Sequence, residues 1–302
     1  MSDPGSPPSG VLVVAKPSGM TSHDVVARVR RLLGVRRVGH AGTLDPSATG
    51  VLVVGVGRAT RLLGYLTGCD KEYETTIRLG ATTTTDDADG QIVSRRRVDA
   101  VPDLEEVLTR FVGEIEQRPP AVSAVKVAGR RAYARARAGE VVVLEPRIVR
   151  IHRIELRRTR RVDDLLDVDL VVACSAGTYI RSLARDIGEA LGVGGHVRRL
   201  HRTRVGTFSI GDAVPLDDVG PHAVIPIAQV AARVFPTLHV GPADARRLGH
   251  GMRLAASPAG EAPASDTHRG PIAILGPDGD LVALVEEHDG AWVPRVVFAD
   301  AD

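Results

Sequence analysis

Two short apolar runs near the N-terminus constrain the fold more than any other feature. The runs VLVVAK (residues 11–16) and VLVV (residues 51–54) are continuous and bounded by turn residues, which is typical of buried strands. Between them, Thr21 and Asp24 form a capping-box pattern, apolar residues recur on one helical face, and Gly34 follows. The pattern predicts a strand, a helix and a second strand, with a long irregular segment at residues 39–50.

The rest of the chain predicts one larger unit of strands and helices and a smaller unit after it. A boundary is expected near residues 230–236, and the Gly/Asp turns of the tail predict a small all-β module. The periodic patterns predict strands at 71–79, 147–161, 165–174, 196–206, 272–275, 281–286 and 292–298, helices at 101–111 and 178–191, and a polar loop at 82–90.

Composition excludes several classes of protein. Aromatic residues make up 3% of the 302 residues, which disfavours a single-stranded nucleic-acid binder that relies on many stacked rings. No apolar run reaches the ~20 residues that span a bilayer, and residues 1–10 lack the features of a signal peptide. Cys69 and Cys174 stand alone, without a CxxC pair, so neither a disulfide framework nor a cysteine zinc site is expected. We therefore expect a cytoplasmic protein with no membrane partner and no metal.

The charge is unevenly distributed along the chain. Residues 255–302 contain nine acidic residues and two arginines, whereas residues 1–254 contain 37 basic and 28 acidic residues. A basic main body indicates an acidic partner, and nucleic acid is the first candidate.

Familiar cofactor motifs are incomplete. The GVG at residues 55–57 follows a predicted strand but lacks the third glycine of a dinucleotide site. The DDADG run at residues 86–90 resembles part of a calcium loop, but Thr85 and Arg96 occupy positions that need carboxylates.

The segment GHAGTLDPSATG, residues 39–50, is the strongest candidate for chemistry. It holds a histidine and a carboxylate between a predicted helix and a buried strand, where rigid elements position a loop. Pro46 restricts the backbone of Asp45 and so aims its side chain. From composition alone, an aspartate that merely starts a turn is the commoner interpretation.

The sequence resembles the tRNA pseudouridine synthase B family. The resemblance begins in KPSGMTSHDVVARVRRLLGVRRVGHAGTLDPSATGVLVVGVGRATRL and covers about residues 11–210. It continues through KEYETTIRLG (71–80), DDADG, PPAVSAVK (119–126), GTYIRSL (177–183) and HVRRLHRTRVG (196–206). It implies an α+β fold with a mixed, mainly antiparallel sheet flanked by helices, and a small C-terminal all-β PUA-like domain. The implied division is a leader at 1–10, a catalytic domain at 11–232 and the PUA-like domain at 237–302.

The resemblance also implies the activity: isomerisation of a T-loop uridine of tRNA, position 55, without a cofactor. It assigns the catalytic carboxylate to Asp45, its arginine partner to Arg181, and a supporting carboxylate to Asp87. Pseudouridine formation breaks the N1–C1′ bond, turns the uracil and rebonds it through C5, which requires a carboxylate near the sugar. Attack of Asp45 on C1′, attack on the base, and removal of a sugar proton are all compatible with the sequence.

Further residues receive roles by the same resemblance. Tyr73 is the ring that stacks on the flipped uracil, and Leu200 is an apolar residue against the base. His40 is a substrate-binding residue that fills the space left by the flipped nucleotide. The resemblance places Lys16 and Pro17 at the edge of the pocket.

The basic segment at residues 118–147 resembles the family's insertion that contacts the T stem and loop. We expect Lys126, Arg130 and Arg131 to bind RNA phosphates there. The expected partner is tRNA, with no guide RNA and a monomeric enzyme. Two alternatives are a guide-RNA-dependent synthase subunit, which the basic segment argues against, and a non-catalytic RNA-binding factor, which Asp45, Tyr73 and Arg181 argue against.

Overall fold

The protein is described here from a computed structural model. The structure describes residues 8–99, 104–120, 144–255 and 270–298, together with the backbone of 126–127 and 130–131. The helices are α1 Ser22–Leu33, α2 Leu63–Thr67, α3 Leu104–Arg110, α4 Ile180–Ala190, α5 Ile227–Val234 and α6 Pro242–Gly249. Short 3-10 turns occur at Gly57–Leu62, Ile210–Asp212, Leu216–Asp218 and Pro221–Ala223.

The strands form one large and one small sheet, and two short hairpins lie apart from them. In chain order, the strands are β1 Gly10–Lys16, β2 Val38–Ala41, β3 Thr49–Val56, β4 Lys71–Leu79, β5 Ala81–Thr83, β6 Ile92–Arg95, β7 Gly113–Gln117, β8 Lys126–Val127, β9 Arg130–Arg131, β10 Arg147–Val162, β11 Leu165–Cys174, β12 Gly195–Val205, β13 Phe208–Ser209, β14 Val214–Pro215, β15 Ile225–Pro226, β16 Thr237–His239, β17 Leu254–Ala255, β18 Ile272–Leu275, β19 Leu281–His288 and β20 Ala291–Val297.

The large sheet is mixed and mainly antiparallel. Its order is β14-β1-β3-β12-β4-β11-β10-β7, with β2, β13 and β15 pairing at its sides. Among the described strands of this sheet, the β1–β14 and β3–β12 pairs are parallel and the other pairs are antiparallel. The predicted fold class is therefore confirmed, and the sheet brings β3, which follows the Asp45 loop, next to β12, with β4 on the other side of β12.

Helix α1 begins and ends where the sequence predicts. The Thr21 hydroxyl accepts a hydrogen bond from the backbone of Asp24, and the Asp24 carboxylate accepts one from the backbone of Thr21. Gly34 ends the helix in the left-handed conformation, with a φ of 65°. The helix buries its valines against β1 and β3, so the segment that follows it starts from a fixed point.

Helix α4 covers the other half of the large sheet. Its buried face, which includes Leu183, Ala184 and Ile187, packs in one core with Ile77 and Leu170 of the sheet. Burying a large aliphatic side chain contributes roughly 1.5–3 kcal/mol, so this face fixes the helix on the sheet. The beginning of α4 is thereby held above the same sheet region that carries β4 and β12.

Several boundaries differ from the predictions. Residues 38–41 form strand β2 on the edge of β3, so the irregular segment begins at residue 42 and not at 39. The predicted polar loop at 82–90 contains the end of strand β5. Residues 101–103 and most of the basic segment lie outside the described residues.

The C-terminal unit is a five-stranded sheet with the order β16-β18-β19-β20-β17. The three predicted tail strands are present, and the structure adds strands β16 and β17 and helix α6, which the sequence analysis did not predict. Phe298 and Leu284 pack in one core with Val13 and Val53 of the large sheet, so the two units share apolar contacts. The described residues contain no helix long and apolar enough to cross a membrane.

Candidate active site

Asp45 lies on a loop that a buried lysine holds in place. The side chain of Lys16 is 1% exposed, and its Nζ donates to the carbonyls of Pro17 (2.8 Å), Met20 (2.7 Å) and Pro46 (3.0 Å). All three N–H donors of the ammonium group are therefore used. Lys16 lies behind the loop, where it ties the end of β1 to the residue after Asp45.

Two further contacts fix the loop. The Ser22 hydroxyl accepts a hydrogen bond from the Leu44 backbone N–H (2.9 Å) and donates to the Leu44 carbonyl (3.1 Å). At the far end, a Cβ built on Gly50 would lie 2.2 Å from the carbonyl oxygen of Arg202, so only glycine allows the loop to pass β12 this closely. The loop is therefore positioned by α1, β1 and β12 together.

The loop directs Asp45 onto Arg181, which lies in the first turn of α4. Nε of Arg181 is 2.9 Å from one carboxylate oxygen of Asp45, and Nη2 donates to the other at 3.1 Å. The Arg181 side chain is 6% exposed, whereas that of Asp45 is 34% exposed. The guanidinium is thus buried behind a carboxylate that still faces open space.

The third nitrogen of Arg181 binds the DDADG loop. Nη1 donates to the Thr85 carbonyl (3.0 Å) and lies 3.4 Å from a carboxylate oxygen of Asp87. The Asp87 carboxylate also accepts hydrogen bonds from the Thr85 hydroxyl and the Asp89 backbone N–H. Of three neighbouring aspartates, Asp87 is therefore the one that contacts Arg181, while Asp86 pairs with Arg185 at 3.2 Å.

The groups around Asp45 have opposing effects on the pKa of its carboxyl group. Burial raises the pKa of Asp45, and the nearby carboxylate of Asp87 raises it further. Arg181 lowers the pKa of Asp45 through its charge and its hydrogen bond. Arg181 is therefore the group that favours the ionised form of Asp45, which a nucleophile or a base requires.

A cavity of about 240 Å³ opens in front of this pair. It is lined by the loop from Gly42 to Asp45 and by the segment from Gly177 to Arg181, which meet at the Asp45–Arg181 pair. The floor is the face of the large sheet that carries Tyr73 and Leu200. The cavity thus combines a carboxylate, an aromatic ring and an aliphatic side chain around a space that a pyrimidine nucleoside could fill.

Tyr73 is 7% exposed and packs in the same core as Leu44 and Ala48. Burial raises the pKa of the Tyr73 hydroxyl, so the group is a neutral phenol at neutral pH. Its position on the floor of the cavity suits a ring that stacks on a base.

The other predicted binding residues are dispersed. His40 lies on β2 and packs edge-to-face against His23 with ring centroids 5.3 Å apart, and Pro17 is exposed. Neither they nor Lys16 are among the residues that line the cavity. For Lys126, Arg130 and Arg131 the structure describes only a short hairpin, β8–β9, and the remainder of the predicted RNA contact lies outside the described residues.

Two further residues that were not predicted, Lys71 and Arg202, also line the cavity. The strand period in the sequence contains a signal for both residues. Lys71 stands two residues before Tyr73, and Arg202 stands two residues after Leu200, so the two-residue period of a strand places each on the face of its neighbour.

Gln117, which was not predicted either, holds the beginning of α4. Its side chain is 1% exposed; its Nε2 donates to the Tyr179 carbonyl (3.1 Å), and its Oε1 accepts from the Tyr179 backbone N–H (2.8 Å). Tyr179 lines the cavity two residues before Arg181. Gln117 also pairs with Arg147 across β7 and β10, so it lies where the basic segment leaves the sheet.

Replacing Gln117 with leucine should lower the free energy of unfolding by about 1–2 kcal/mol, because two buried hydrogen bonds to the backbone are lost. Thermal or urea unfolding would measure the change. The matched control is Gln229→Leu at an exposed position of α5, where we expect a change within about 0.5 kcal/mol. Equal effects at both positions would contradict a specific role for the Gln117 contact.

The described residues contain no cluster of His, Cys, Asp and Glu side chains that could hold a metal ion. The ionisable side chains of the residues that line the cavity are those of Asp45, Lys71, Tyr73, Tyr179, Arg181 and Arg202.

Comparison with known protein families gives three matches in chain order. Residues 30–180 match the TruB family pseudouridylate synthase N-terminal domain. Residues 181–229 match the tRNA pseudouridylate synthase B C-terminal domain, and residues 235–299 match the C-terminal domain of tRNA pseudouridine synthase II.

Curated relatives carry the same description. The chain is 53% identical over 297 residues to tRNA pseudouridine synthase B of Thermobifida fusca (strain YX), covering 96% of this chain and 98% of the relative. It is 51% identical over 282 residues to tRNA pseudouridine synthase B of Mycobacterium sp. (strain KMS), covering 92% of each.

The chain is also similar to solved structures. One is described as an H/ACA RNP bound to a substrate RNA containing 2′-deoxyuridine, with a TM-score of 0.71 and 26% identity over 96% of this chain and 85% of the other. A second, described as a Cbf5-Nop10-Gar1 complex, has a TM-score of 0.71 and 29% identity over 95% of this chain and 83% of the other.

Proposed function

The chain belongs to the TruB family of pseudouridylate synthases, and on that premise we propose that it converts the T-loop uridine of tRNA, position 55, into pseudouridine. The pairing of Asp45 with Arg181 at the edge of the cavity is the observation that carries this proposal. Asp45 is the catalytic carboxylate, and Arg181 favours its ionised form.

The reaction is an isomerisation. The N1–C1′ bond of the uridine breaks, the uracil turns, and C5 bonds to C1′, with no net oxidation or hydrolysis. The ring of Tyr73 stacks on the flipped base, and Leu200 contacts it from the neighbouring strand. Extruding the base from the RNA costs a few kcal/mol, which stacking and backbone contacts offset. Neither a cofactor nor a metal is required.

We propose that the enzyme recognises tRNA directly in the cytoplasm, as a monomer. The more similar relatives are named as tRNA pseudouridine synthases, which favours tRNA over a guide-RNA complex. The basic segment and His40 bind the T stem and loop. We retain the predicted division into a catalytic domain at 11–232 and a C-terminal domain at 237–302, which the separate five-stranded sheet supports.

Tritium release would test the proposal. Purified protein is mixed with an unmodified tRNA transcript that carries tritium at C5 of its uridines, without guide RNA or added cofactor. We expect the release of one tritium per tRNA, because C5 loses its hydrogen when it bonds to C1′. A transcript with cytidine at the target position should release none. Tight, salt-sensitive binding without release would favour an RNA-binding factor or a guide-dependent enzyme.

A further inference from the structure

Two buried cations lie at the cavity without a role in the chemistry above. The side chains of Lys71 and Arg202 line it, and the two residues are 7% and 1% exposed. Lys71 precedes Tyr73 by two residues on β4, and Arg202 lies opposite Tyr73 on β12, so the three side chains share one face of the sheet.

The two cations are close to one part of the cavity wall. A Cβ built on Gly42 would lie 3.7 Å from Nη1 of Arg202 and 3.8 Å from Cε of Lys71. Gly42 is itself a lining residue and has a φ of +84°, a conformation that other residues rarely adopt. Both cations therefore lie beside the backbone of the loop that carries the catalytic aspartate.

Backbone carbonyls hold both side chains. Arg202 donates to the carbonyls of Val51 (2.8 Å), Gly42 (3.2 Å) and Thr43 (3.3 Å). Nζ of Lys71 donates to the carbonyls of Thr67 (2.6 Å) and Cys69, which leaves one of its three N–H donors.

Among the described residues, neither cation is directly paired with a carboxylate, although the charge of Asp70 raises the pKa of Lys71 to a lesser extent than burial lowers it. Within the part of the chain that the structure describes, no carboxylate forms a salt bridge with Lys71 or Arg202, whereas Arg181 pairs with both Asp45 and Asp87. Cys174 is paired with Lys71 across β11 and β4, but burial raises the pKa of its thiol to about 11, so it is uncharged at neutral pH.

Two buried positive charges without a directly paired carboxylate cost free energy. Burial and the neighbouring Arg202 accordingly lower the pKa of Lys71. A negative charge that enters the cavity would remove this cost, so this end of the cavity is suited to an anion.

The proposed reaction produces such an anion. When the C1′–N1 bond breaks, its electron pair leaves with the base and spreads over N1, O2 and O4 of uracil. The electron-poor C1′ then either bonds to the Asp45 carboxylate or forms a double bond to C2′ as the C2′ proton is lost. After the base turns, C5 supplies the electron pair that bonds to C1′; this step displaces the Asp45 carboxylate from C1′ or, on the other route, is accompanied by return of the proton to C2′. The C5 proton is then lost and N1 takes one up, so atoms and charge balance.

We propose that Lys71 and Arg202 form an oxyanion-type subsite that stabilises the detached uracil as an anion. The inference rests on the proposed function and adds two catalytic residues to it. Electrostatic stabilisation at a site that exists before the charge develops is often the largest single contribution to catalysis.

The test compares two target bases in the same tRNA. Lys71→Met removes the charge and keeps an unbranched side chain that is one heavy atom shorter. With uridine at the target we expect the single-turnover rate to fall about 10²-fold, as for the loss of one oxyanion donor. Binding of tRNA should change no more than a few-fold.

The second target base is 5-fluorouridine, whose ring anion is intrinsically more stable because fluorine withdraws electrons. With this base, the loss of single-turnover rate in Lys71→Met relative to wild type should be at least about fivefold smaller than with uridine. Cleavage of the glycosidic bond is followed by chromatography of the digested RNA.

A conservative variant separates charge from packing. Lys71→Arg keeps the charge and should recover most of the rate lost in Lys71→Met. If the methionine variant does not fold, as judged by thermal unfolding, the same comparison is made with Lys71→Gln. Equal losses with uridine and 5-fluorouridine would overturn the proposal in favour of a structural role. Weaker, less salt-dependent tRNA binding with an unchanged rate would indicate the loss of a phosphate contact and would also overturn it. An inactive wild-type protein would instead refute the proposed function itself.

Discussion

Asp45→Asn should reduce turnover by at least about 10³-fold and leave tRNA binding within a few-fold of wild type. Asparagine has the shape of aspartate and can still accept a hydrogen bond from Arg181, so the walls of the cavity are preserved. It carries no negative charge, and therefore it can neither attack a carbon nor remove a proton. The expected result is loss of the chemical step alone, measured as single-turnover tritium release beside a tRNA-binding titration.

The control for this prediction is the same substitution on the surface. Asp217 pairs with Arg28 at 3.3 Å, and its side chain is 87% exposed. Asp217→Asn should retain wild-type turnover, because exposed ion pairs contribute roughly 0–1 kcal/mol. Retained turnover in Asp45→Asn would refute the assignment of the catalytic carboxylate. A parallel loss of tRNA binding would mean that Asp45 serves recognition and not chemistry.

Local patterns predicted most of the elements around this site. The capping residues of α1 and the apolar strands on either side of the Asp45 loop depend on contacts within a few residues, so one sequence suffices to identify them. Strand β2 was missed because VGHA is too short and too mixed to show a period, and its pairing with β3 decides its conformation. Helix α6 was missed for a similar reason, since its PADARRLG sequence has little apolar periodicity.

The partners of the site residues were harder to predict. Arg181 is 136 residues from Asp45 in the chain, and considered alone it is an ordinary helical arginine. Only the family resemblance connected the two residues. Lys71 and Arg202 follow the strand period, but which face of the sheet bears the cavity depends on where α4 packs. That packing is a tertiary property that the strand sequences do not contain.

Arg181→Met should lower single-turnover activity at neutral pH by about 10²–10³-fold, because the carboxylate loses the donor that favours its ionised form. Burial and Asp87 both raise the pKa of Asp45, and only Arg181 and more distant cations oppose them. Without Arg181, Asp45 should therefore take up a proton at higher pH than in the wild type. The acid limb of the pH–rate profile should move to higher pH, so the variant should reach its maximal activity at a higher pH than the wild type does.

The stability of the same variant should change with pH in the opposite direction. A carboxyl whose pKa is higher in the folded than in the unfolded protein binds more protons in the folded state between the two values. Raising the pH through that window removes those protons, and the free energy of unfolding decreases. Unfolding experiments over the pH range of the rate profile should show a steeper decrease in Arg181→Met than in the wild type.

A second arginine–aspartate pair supplies the matched control. Arg78 donates to both carboxylate oxygens of Asp167 at 2.7 and 2.9 Å, on the face of the sheet away from the cavity. The Asp167 side chain is 3% exposed, so Arg78→Met also leaves a buried carboxylate without one of its arginine partners and should lower stability. Because Arg78 does not touch the cavity, its loss should leave the pH–rate profile of the folded enzyme unchanged. A uniform loss of activity at every pH in Arg181→Met would mean that Arg181 binds the substrate and does not control the protonation of Asp45.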